Sequence, residues 1–414
     1  MSTVNFVSED FSGKQNSQLA IHQYIHLMSN TDILSNWENL VKKQLKTEDI
    51  YPVLEKENLE GIEVKPFYTE VRKPLVNLPK VEESTHLVSR YHESLEEEVF
   101  AFLLDQNVEN LDQKTIFVNN KDLAGHISPK EEDQYFSLID IFNEKEGSID
   151  DQLAKELLAK DFKRNICVDI SLHQNAGAAI YQQLGIALAK TKELVEIYGE
   201  DILNKLIFRI AVGGSYFFEM AKLRAFKIIF NQLSREYGLD IVPYIFAETS
   251  LRNKAIADNE NNLIRSTLEL ASAMIGGADA VFSNNYLIDR STDNSEEISF
   301  KQQIVLAYES IINVFEDAAN GSFYIEDITQ QIAEKSWALF VEIEDAGGYL
   351  KLLQDGTLQK KIYEHAVKEQ QWIEEGKIKL IGVNLYPKLD VKRSIDELYN
   401  EKEIKAVRWA EMFE

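Results

Sequence analysis

The feature that most constrains the fold of this chain is a regular alternation of short apolar runs with longer helical patterns, beginning near residue 115. Runs rich in β-branched and aromatic residues have the length of strands. They cover residues 115–118, 166–170, 206–212, 241–247 and 280–282. Helical periodicity covers residues 178–198, 215–237 and 261–274. The last four runs start 35 to 40 residues apart with one helix in each gap, which predicts βα units and parallel strands.

Two architectures fit this alternation, a (β/α)8 barrel and a doubly wound sheet. A doubly wound sheet often has a glycine-rich phosphate turn after its first strand, and no such turn follows residues 115–118. Gly276 and Gly277 end one helix where a left-handed residue is favoured, and a strand follows at once. We therefore predict an α/β fold of the (β/α)8 TIM-barrel class.

The chain is predicted to have three regions. Residues 1–80 form an N-terminal arm, in which residues 33–45 have the spacing of an amphipathic helix and the prolines near residues 65–79 favour extended chain. Residues 81–390 form the barrel, and residues 391–414 form a helical C-terminal tail. Within the barrel region, the sequence after residue 301 predicts helices at residues 301–314, 328–344 and 358–375 and a last strand at residues 379–383. We expect the arm to lie on the barrel or on a partner.

Composition excludes several classes of protein. The net charge of −25 repels phosphate backbones and anionic lipid, so we expect no nucleic-acid partner and no membrane binding. A single cysteine, Cys167, rules out an intramolecular disulfide, and its apolar surroundings predict a buried thiol. No apolar run reaches the length of a membrane span, and the N-terminus has no signal-peptide pattern. A cytoplasmic protein is expected.

Polar residues follow the predicted strand at residues 166–170, where a barrel keeps its functional groups. Continued strand geometry would place Asp169, Ser171 and His173 on one side, with neighbours about 7 Å apart. That spacing is too long for direct proton relay, although a hydrolase that uses Ser171 and His173 remains one hypothesis. The other is that these groups line the barrel mouth with Gln174 and Asn175.

Three further segments contain candidate residues. Gly213, Gly214 and Ser215 precede a helix and suggest either a phosphate turn or a tight turn with an N-cap. A polar segment at residues 248–253 includes Thr249 and Ser250 and suggests a substrate loop or a capping loop. His22 and His26 have helical spacing, but no carboxylate pattern accompanies them, so we expect surface histidines and no metal site.

Several of these segments, in this order, resemble motifs of the methylmalonyl-CoA mutase family. Residues 217–225 (FFEMAKLRA) are similar to its F-x-E-[IM]-A-K-[LF]-R-A signature, and residues 317–326 (DAANGSFYIE) to D-P-x-G-G-S-[YF]-Y-[VI]-E. Further matches are Thr249-Ser250, Asp258, residues 261–267, Gly276-Gly277, Gly347-Gly348 and residues 381–384, while residues 65–69 resemble the segment that leads into the family's barrel. The resemblance covers most of residues 30–390.

Three departures from the family pattern bear on function. Active members have a glycine, a tyrosine and a catalytic histidine before the sequence Q-E-A-G-A. Here residues 174–178 (QNAGA) match that sequence. The position of the catalytic histidine, two residues before the glutamine, is then taken by Leu172. His173 lies one residue further along the chain than the family's histidine. On a strand, a shift of one residue turns the side chain to the opposite face of the sheet. Residues 70–100 contain no equivalent of the family's R-Q-Y-A-G-F stretch. The chain reaches Glu414 without a D-x-H-x-x-G cobalamin-ligand motif.

Together the resemblance and its departures imply the small subunit of a heterodimeric methylmalonyl-CoA mutase. In such an enzyme a large catalytic subunit binds adenosylcobalamin and interconverts (R)-methylmalonyl-CoA and succinyl-CoA. The small subunit is structural and has no catalytic residue of its own. Ser171, His173, Gln174, Asn175, Thr249 and Ser250 would then line a vestigial pocket. The alternative is a competent acyl-CoA mutase barrel that a separate cobalamin-binding chain completes.

Overall fold

The computed structural model describes residues 30–69, 77–92, 99–106, 108, 113–127, 133–389 and 393–414. The chain divides into two compact units, the first made of residues 1–57 with 63–72 and the second of residues 58–62 with 73–414. His22 and His26, much of the predicted arm and part of the segment around Pro74 lie outside the described residues. None of the described helices is long and apolar enough to cross a membrane.

Eight parallel strands form one sheet in the second unit. In chain order they are β1 (His86–Arg90), β2 (Ala101–Leu104), β3 (Thr115–Val118), β4 (Gln134–Ser137), β5 (Ile166–Asp169), β6 (Leu206–Val212), β7 (Tyr244–Thr249) and β8 (Ala280–Phe282). Pairing runs β4-β3-β2-β1-β8-β7-β6-β5, so strands that are adjacent in the sequence are adjacent in the sheet, and β1 pairs with β8.

The barrel closes between β4 and β5. The amide of Ser137 donates to the carbonyl of Arg164 at 2.9 Å, and the amide of Cys167 donates to the carbonyl of Ile139 at 3.0 Å. Bridges at Phe136 with Arg164 and at Asp140 with Cys167 have the same parallel sense. The predicted (β/α)8 barrel is therefore confirmed.

Helices lie between and after the strands of this unit. They are α3 (Lys121–His126), α4 (Asp151–Leu158), α5 (Ser171–Asn175), α6 (Ile180–Tyr198), α7 (Tyr216–Glu236), α8 (Glu260–Ile275), α9 (Asp293–Ile304), α10 (Phe323–Asp345), α11 (Tyr349–Gln354), α12 (Thr357–Glu374) and α13 (Ile395–Leu398). A π-helical turn, Val305–Glu309, continues α9. A short hairpin of Phe142–Asn143 and Ser148–Ile149 follows β4.

The barrel interior is filled by apolar side chains that all eight strands contribute. The buried cluster consists of Val88, Ala101, Leu103, Phe117, Phe136, Leu138, Cys167, Ile207, Tyr244, Phe246, Ala280 and Phe282. Aromatic rings meet at its centre, where the centroids of Phe117 and Phe246 are 5.0 Å apart. Cys167 is fully buried, as predicted, and burial raises the pKa of its thiol well above the ordinary value.

The first unit contains α1 (Asn30–Leu45), which confirms the predicted amphipathic helix, and the single turn α2 (Tyr51–Leu54). Trp37 of α1 stacks on Phe67 with ring centroids 5.1 Å apart. The hydroxyl of Tyr51 donates to Glu38 at 2.6 Å. Residues 65–69 have no regular secondary structure, in agreement with the effect of Pro66.

Several sequence-based expectations need correction. The predicted strand at residues 379–383 is a turn with one bridge, between Ile381 and Leu385, and is not part of the barrel. The predicted strand at residues 241–247 begins instead at Tyr244, because Pro243 has no amide to donate to a neighbouring strand. Among residues 393–414 of the C-terminal tail, which the structure describes, only α13 and a 3-10 turn, Trp409–Met412, are helical.

Candidate functional site

The mouth of the barrel, at the carboxyl ends of its strands, is lined by a layer of polar side chains. Each follows a member of the apolar core by two residues and therefore faces the barrel axis. The members of this mouth layer are Arg90, Asp105, Asn119, Asp169, Arg209 and Glu248. In a (β/α)8 enzyme the substrate meets the protein at this end.

Arg209 of β6 connects most of the mouth layer. Its Nε and Nη2 donate to Glu248 Oε2 at 3.0 and 2.6 Å, and its Nη1 donates to Asn119 Oδ1 at 2.9 Å. Asp169 lies 3.7 Å from the same guanidinium. The side chain of Arg209 is mostly buried, and the charges of Glu248 and Asp169 together outweigh the effect of burial and raise its pKa. Arg209 is therefore held as a cation by neighbours on three strands or strand ends.

The other half of the mouth layer is also bonded internally. Arg90 pairs with Asp105, and Asp105 Oδ1 accepts a hydrogen bond from Asn119 Nδ2 at 2.8 Å. The guanidinium of Arg90 lies 5.6 Å from the ring centroid of Phe282 on β8. A continuous network thus runs from β1 through the ends of β2 and β3 to β6 and β7. Its charged groups neutralise one another.

The geometry predicted for Ser171 and His173 is wrong, because β5 ends at Asp169 and residues 171–175 form the helix α5. The carboxylate of Asp169 accepts the amide of Ser171 at 2.7 Å and so turns the chain out of the strand. Among the described contacts, no hydrogen bond joins Ser171 to His173. The arrangement needed for a Ser-His-Asp hydrolase is therefore not formed here.

His173 lies in a buried polar cluster with Glu144, Tyr349, Lys190 and Asp140, which we call the His173 cluster. Its Nε2 is 3.4 Å from the hydroxyl of Tyr349 and 3.9 Å from Glu144, while Tyr349 also donates to Glu144. Lys190 Nζ lies 2.5 Å from Asp140 and 2.8 Å from Glu144.

Burial and neighbouring charges shift the pKa values of the titratable groups in the His173 cluster in different directions. Burial lowers the pKa of His173 to about 4, against the opposing charge of Glu144, so the imidazole is neutral. Burial raises the pKa of Asp140 to about 6, although the charge of Lys190 acts against it. For Lys190, burial acts downward, but the two carboxylates together outweigh it and raise its pKa. Sequence reasoning did not identify Glu144, Lys190 or Tyr349, which lie on three separate elements.

The other predicted pocket residues are engaged with the protein itself. Asn175 Oδ1 accepts hydrogen bonds from Ser250 Oγ and from the amide of Leu251, both at 2.9 Å. Thr249 Oγ1 accepts the amide of Asn284 at 2.9 Å. Gln174 accepts a hydrogen bond from Gln183 of α6. The structure therefore brings Asn175 and Ser250 together and places Thr249, Gln174 and His173 in separate contacts.

The C-terminal tail packs over this part of the mouth. The amide of Val407 donates to the carbonyl of Asn175 at 3.0 Å, and the amide of Trp409 donates to the carbonyl of Arg252 at 2.8 Å. Arg252 is buried, pairs with Glu369 of α12 at 2.6 Å and lies 5.5 Å from the ring centroid of Tyr399. The polar loop after β7 is thus covered by the same chain.

The turn at Gly213, Gly214 and Ser215 leads into α7, as predicted, but Ser215 makes no side-chain capping bond. Two basic residues that follow, Lys222 and Arg224, are bound to carboxylates inside the protein. Lys222 Nζ lies 2.5 Å from Glu219. Arg224 holds Asp317 through two hydrogen bonds of 2.9 Å and Glu326 through one of 2.7 Å. Arg224 therefore joins two of the sequence motifs in a structural contact.

Within the described residues, no group of three or more histidine, cysteine, aspartate or glutamate side chains is arranged to hold a metal ion. The mouth layer combines arginines with carboxylates, and its carboxylates are committed to those arginines and to amides. The predicted pair His22 and His26 lies outside the described residues and stays a prediction.

A family model described as methylmalonyl-CoA mutase matches residues 159–413, more than half of the chain. The chain is 29% identical over 257 residues to a methylmalonyl-CoA mutase of Rhizobium meliloti, a match that covers 59% of this chain and 36% of the relative.

Two subunits from one organism are also similar to this chain. The methylmalonyl-CoA mutase small subunit of Porphyromonas gingivalis is 33% identical over 228 residues, covering 51% of this chain and 37% of that protein. The large subunit from the same organism is 28% identical over 231 residues, covering 52% of this chain and 32% of that protein. The matches thus span about a third of the length of these relatives.

Proposed function

Because the chain belongs to the methylmalonyl-CoA mutase family, we propose that it is the small, non-catalytic subunit of a heterodimeric mutase. Its partner is a large catalytic subunit that interconverts (R)-methylmalonyl-CoA and succinyl-CoA in the cytoplasm. The similarity to both a small and a large subunit of one organism supports an assembly of two related chains. Residues 1–80 are proposed to contribute to the contact between them.

The observation that carries this proposal is the bonded mouth layer. Substrates of (β/α)8 enzymes bind among loops and strand ends at the carboxyl side of the barrel. Here Arg209 donates hydrogen bonds to both Glu248 and Asn119 across that position, and Arg90 pairs with Asp105. Below this layer the axis is filled by packed aromatic and aliphatic side chains. A substrate at the strand ends would have to break this network.

The state of His173 supports the same conclusion. The resemblance places Leu172 where active members have their histidine, and His173 is the neighbouring alternative. Its side chain is fully buried, its pKa is lowered to about 4 by burial, and its Nε2 faces Tyr349 and Glu144. A proton donor must reach its substrate within hydrogen-bond distance. His173 instead stabilises the packing of α5 against α11.

The cofactor of the proposed complex is adenosylcobalamin, which supplies the radical that starts the rearrangement. The described residues of this chain do not fit it, because Arg209, Glu248, Arg90 and Asp105 bond to one another at the mouth and His173 is enclosed by protein. We propose that the large subunit binds the cofactor. The role of this chain is to stabilise that subunit by packing against it.

An exposed apolar band on one side of the barrel is the surface that we assign to this packing. Tyr308 is 70% exposed and Ile264 63% exposed, which are large values for such side chains. Gln302 of α9 donates to Leu263 and Thr267 of α8 and so holds the two helices side by side. We assign to this band the exposed apolar side chains of α8, of the π-helical turn and of the residues that follow it, which are Ile264, Leu268, Val305, Tyr308, Ile311, Val314 and Phe315.

Purification of this chain alone and together with a large subunit tests the proposed function. We expect the chain alone to show neither cobalamin absorbance nor mutase turnover, and the co-expressed pair to show both. Turnover by this chain alone, or with only a separate cobalamin-binding chain, would overturn the proposal.

Substitutions in the apolar band test the proposed contact separately. Tyr308→Glu places a charge in the band, so we expect it to weaken co-purification with the large subunit while the chain stays folded. Ile197→Glu is a matched control, since Ile197 is also exposed but lies on α6, outside the band. Equal retention of the partner by both variants would contradict this assignment.

A further inference from the structure

One asparagine of this chain is followed directly by glycine, and the pair lies on the turn that leads into α10. It is Asn320 with Gly321, and the sequence contains no other Asn-Gly pair. The amide of Ser322 closes the turn by donating to the carbonyl of Ala319 at 3.2 Å. Gly321 is the third residue of this turn and has a φ of 83°, which glycine adopts without strain. Both members of the pair are exposed.

An asparagine in front of a glycine can react with its own main chain. The amide nitrogen of the glycine attacks the carbonyl carbon of the side chain, the C–N bond of the carboxamide breaks, and ammonia leaves with the proton of the attacking nitrogen. Water then opens the cyclic succinimide at either of its two carbonyl carbons. One opening gives aspartate, and the other gives isoaspartate, in which the main chain runs through the former side chain. Glycine permits the attack because it has no Cβ to hinder it.

The surroundings of Asn320 leave this reaction unhindered. Among the residues that the structure describes, none forms a hydrogen bond with its carboxamide, so the side chain can turn towards the main chain. A Cβ at Gly321 would meet nothing within 4 Å, so the space beside the attacking residue is open. The turn is therefore able to accommodate the ring.

Glu326 lies where it can take up the proton that the reaction releases. The amide of Gly321 donates to Glu326 Oε1 at 3.1 Å. A carboxylate at hydrogen-bond distance from a donor can act as a general base for the attacking nitrogen. Arg224 Nη2 donates to the same oxygen at 2.7 Å and so keeps Glu326 in place on the first turn of α10.

A second turn with a similar backbone provides a contrast. Gly356 follows Asp355, also has a φ of 83°, and a Cβ there would meet nothing within 4 Å. Its amide donates to the carbonyl of Leu353 at 3.3 Å, and Asp355 Oδ1 accepts the amide of Thr357 at 2.9 Å. Here the side chain is already bonded, and a carbonyl oxygen replaces the carboxylate base. Backbone shape alone therefore does not make a reactive site.

We propose that Asn320 is a site of spontaneous modification, at which Gly321 closes a succinimide that opens to isoaspartate and aspartate. Either product adds a negative charge beside Asp317 and Glu326, which share the guanidinium of Arg224. Isoaspartate also adds a methylene group to the main chain within the turn. The modification therefore weakens the contact of this turn with α7. The inference does not rest on the proposed role in a mutase complex.

Prolonged incubation of the full chain at mildly alkaline pH, followed by peptide mapping with mass spectrometry, tests the proposal. We expect conversion of Asn320 with isoaspartate as the diagnostic product, because direct hydrolysis of the amide would give aspartate alone. Asn400 is the internal control, since it is also exposed but is followed by Glu401. The modified fraction, separated by anion exchange, should melt below the unmodified chain.

Two variants test the parts of the mechanism. Asn320→Gln should stop conversion at this position on the same time scale, because its longer side chain would have to close a larger ring. Glu326→Gln should slow conversion about tenfold, because an amide still accepts the hydrogen bond of Gly321 but takes up no proton. Glu334→Gln, on the same helix, is the matched control and should react like the wild type. Circular dichroism checks that all three variants are folded.

Absence of conversion at Asn320, conversion to aspartate alone, or equal conversion of Asn400 would overturn the proposal. Equal rates in Glu326→Gln and in the wild type would overturn the role of Glu326 as the proton acceptor.

Discussion

The guanidinium of Arg209 on β6 donates two hydrogen bonds to one oxygen of Glu248 on β7, from Nε at 3.0 Å and from Nη2 at 2.6 Å. The two residues are the inward-facing members of adjacent strands, one layer above the apolar core. In the proposed role their pairing stabilises the mouth of a barrel that holds no substrate.

Breaking this pair should destabilise the chain. Arg209→Met leaves the carboxylate of Glu248 buried without its partner, so we expect a loss of about 3–5 kcal/mol in the free energy of unfolding. The double variant Arg209→Met/Glu248→Leu should recover part of that loss, because the more deeply buried carboxylate is removed with its partner and only the more exposed Asp169 loses a neighbouring cation. Urea unfolding of the three proteins measures both values. A double variant no more stable than Arg209→Met would show that the pair is not the cause.

Arg224 should contribute as much to stability as the pair of Arg209 and Glu248. It joins the sequence motif at residues 217–225 to the motif at residues 317–326. Arg224→Ala is expected to cost about 3–5 kcal/mol, since Asp317 and Glu326 then share a buried site without a cation. Arg224→Lys should recover only part, as an ammonium cannot form the paired contacts of a guanidinium. Arg235→Ala, in an exposed ion pair on the same helix, should cost about 0.5 kcal/mol or less. Thermal unfolding compares the three variants.

The His173 cluster should make stability depend on pH. The folded-state pKa of His173, about 4, lies below its ordinary value of 6.5, so the unfolded chain binds the proton more tightly. The contribution of His173 to the free energy of unfolding is complete above pH 6.5 and is lost as the pH falls towards 4. The total loss is about 3 kcal/mol. Asp140 and Glu144 also titrate in acid, so the comparison is with His173→Gln. The wild type should lose more stability than the variant between pH 7 and pH 4, and parallel curves would contradict this.

Gly277 and Gly238 provide a matched pair of backbone substitutions. Both have a positive φ, of 82° and 75°. A Cβ at Gly277 would lie 2.4 Å from Lys227 Nζ and 2.8 Å from the carbonyl oxygen of Glu316, whereas at Gly238 it meets nothing within 4 Å. We expect Gly238→Ala to lower the free energy of unfolding by about 1 kcal/mol, because of its left-handed backbone alone. Gly277→Ala should lower it clearly more. Equal losses in urea unfolding would show that the contacts at Gly277 relax freely.

The fold was predictable where strands and helices alternate at regular distances. Residues 206–212 and 280–282 were assigned as strands with the bounds that the structure has. The strands β1, β2 and β4 were missed, because they have four or five residues and no well-defined helix marks each gap. Such short segments acquire their conformation from pairing within the sheet, which local sequence does not record.

The site was predictable in place but not in geometry. Sequence reasoning identified the segment after β5 and the loop after β7, and the structure joins them through Asn175 and Ser250. It extended β5 through His173, although the side chain of Asp169 ends that strand. The mouth layer could have been found by counting two residues beyond each apolar core position. The His173 cluster could not, since its members are separated by up to 209 positions in the sequence.

Closure of the barrel between β4 and β5 limits how this chain can associate with another. Open sheets offer an edge strand whose free amides and carbonyls can accept a strand from a partner. In this barrel each of the eight strands has neighbours on both sides, through the β1–β8 ladder and the bonds of Ser137 and Cys167. Strand addition to the barrel is therefore ruled out. Recognition of a partner by the barrel depends on the side chains of its helices and loops, so it can be changed by substitution without disturbing the sheet.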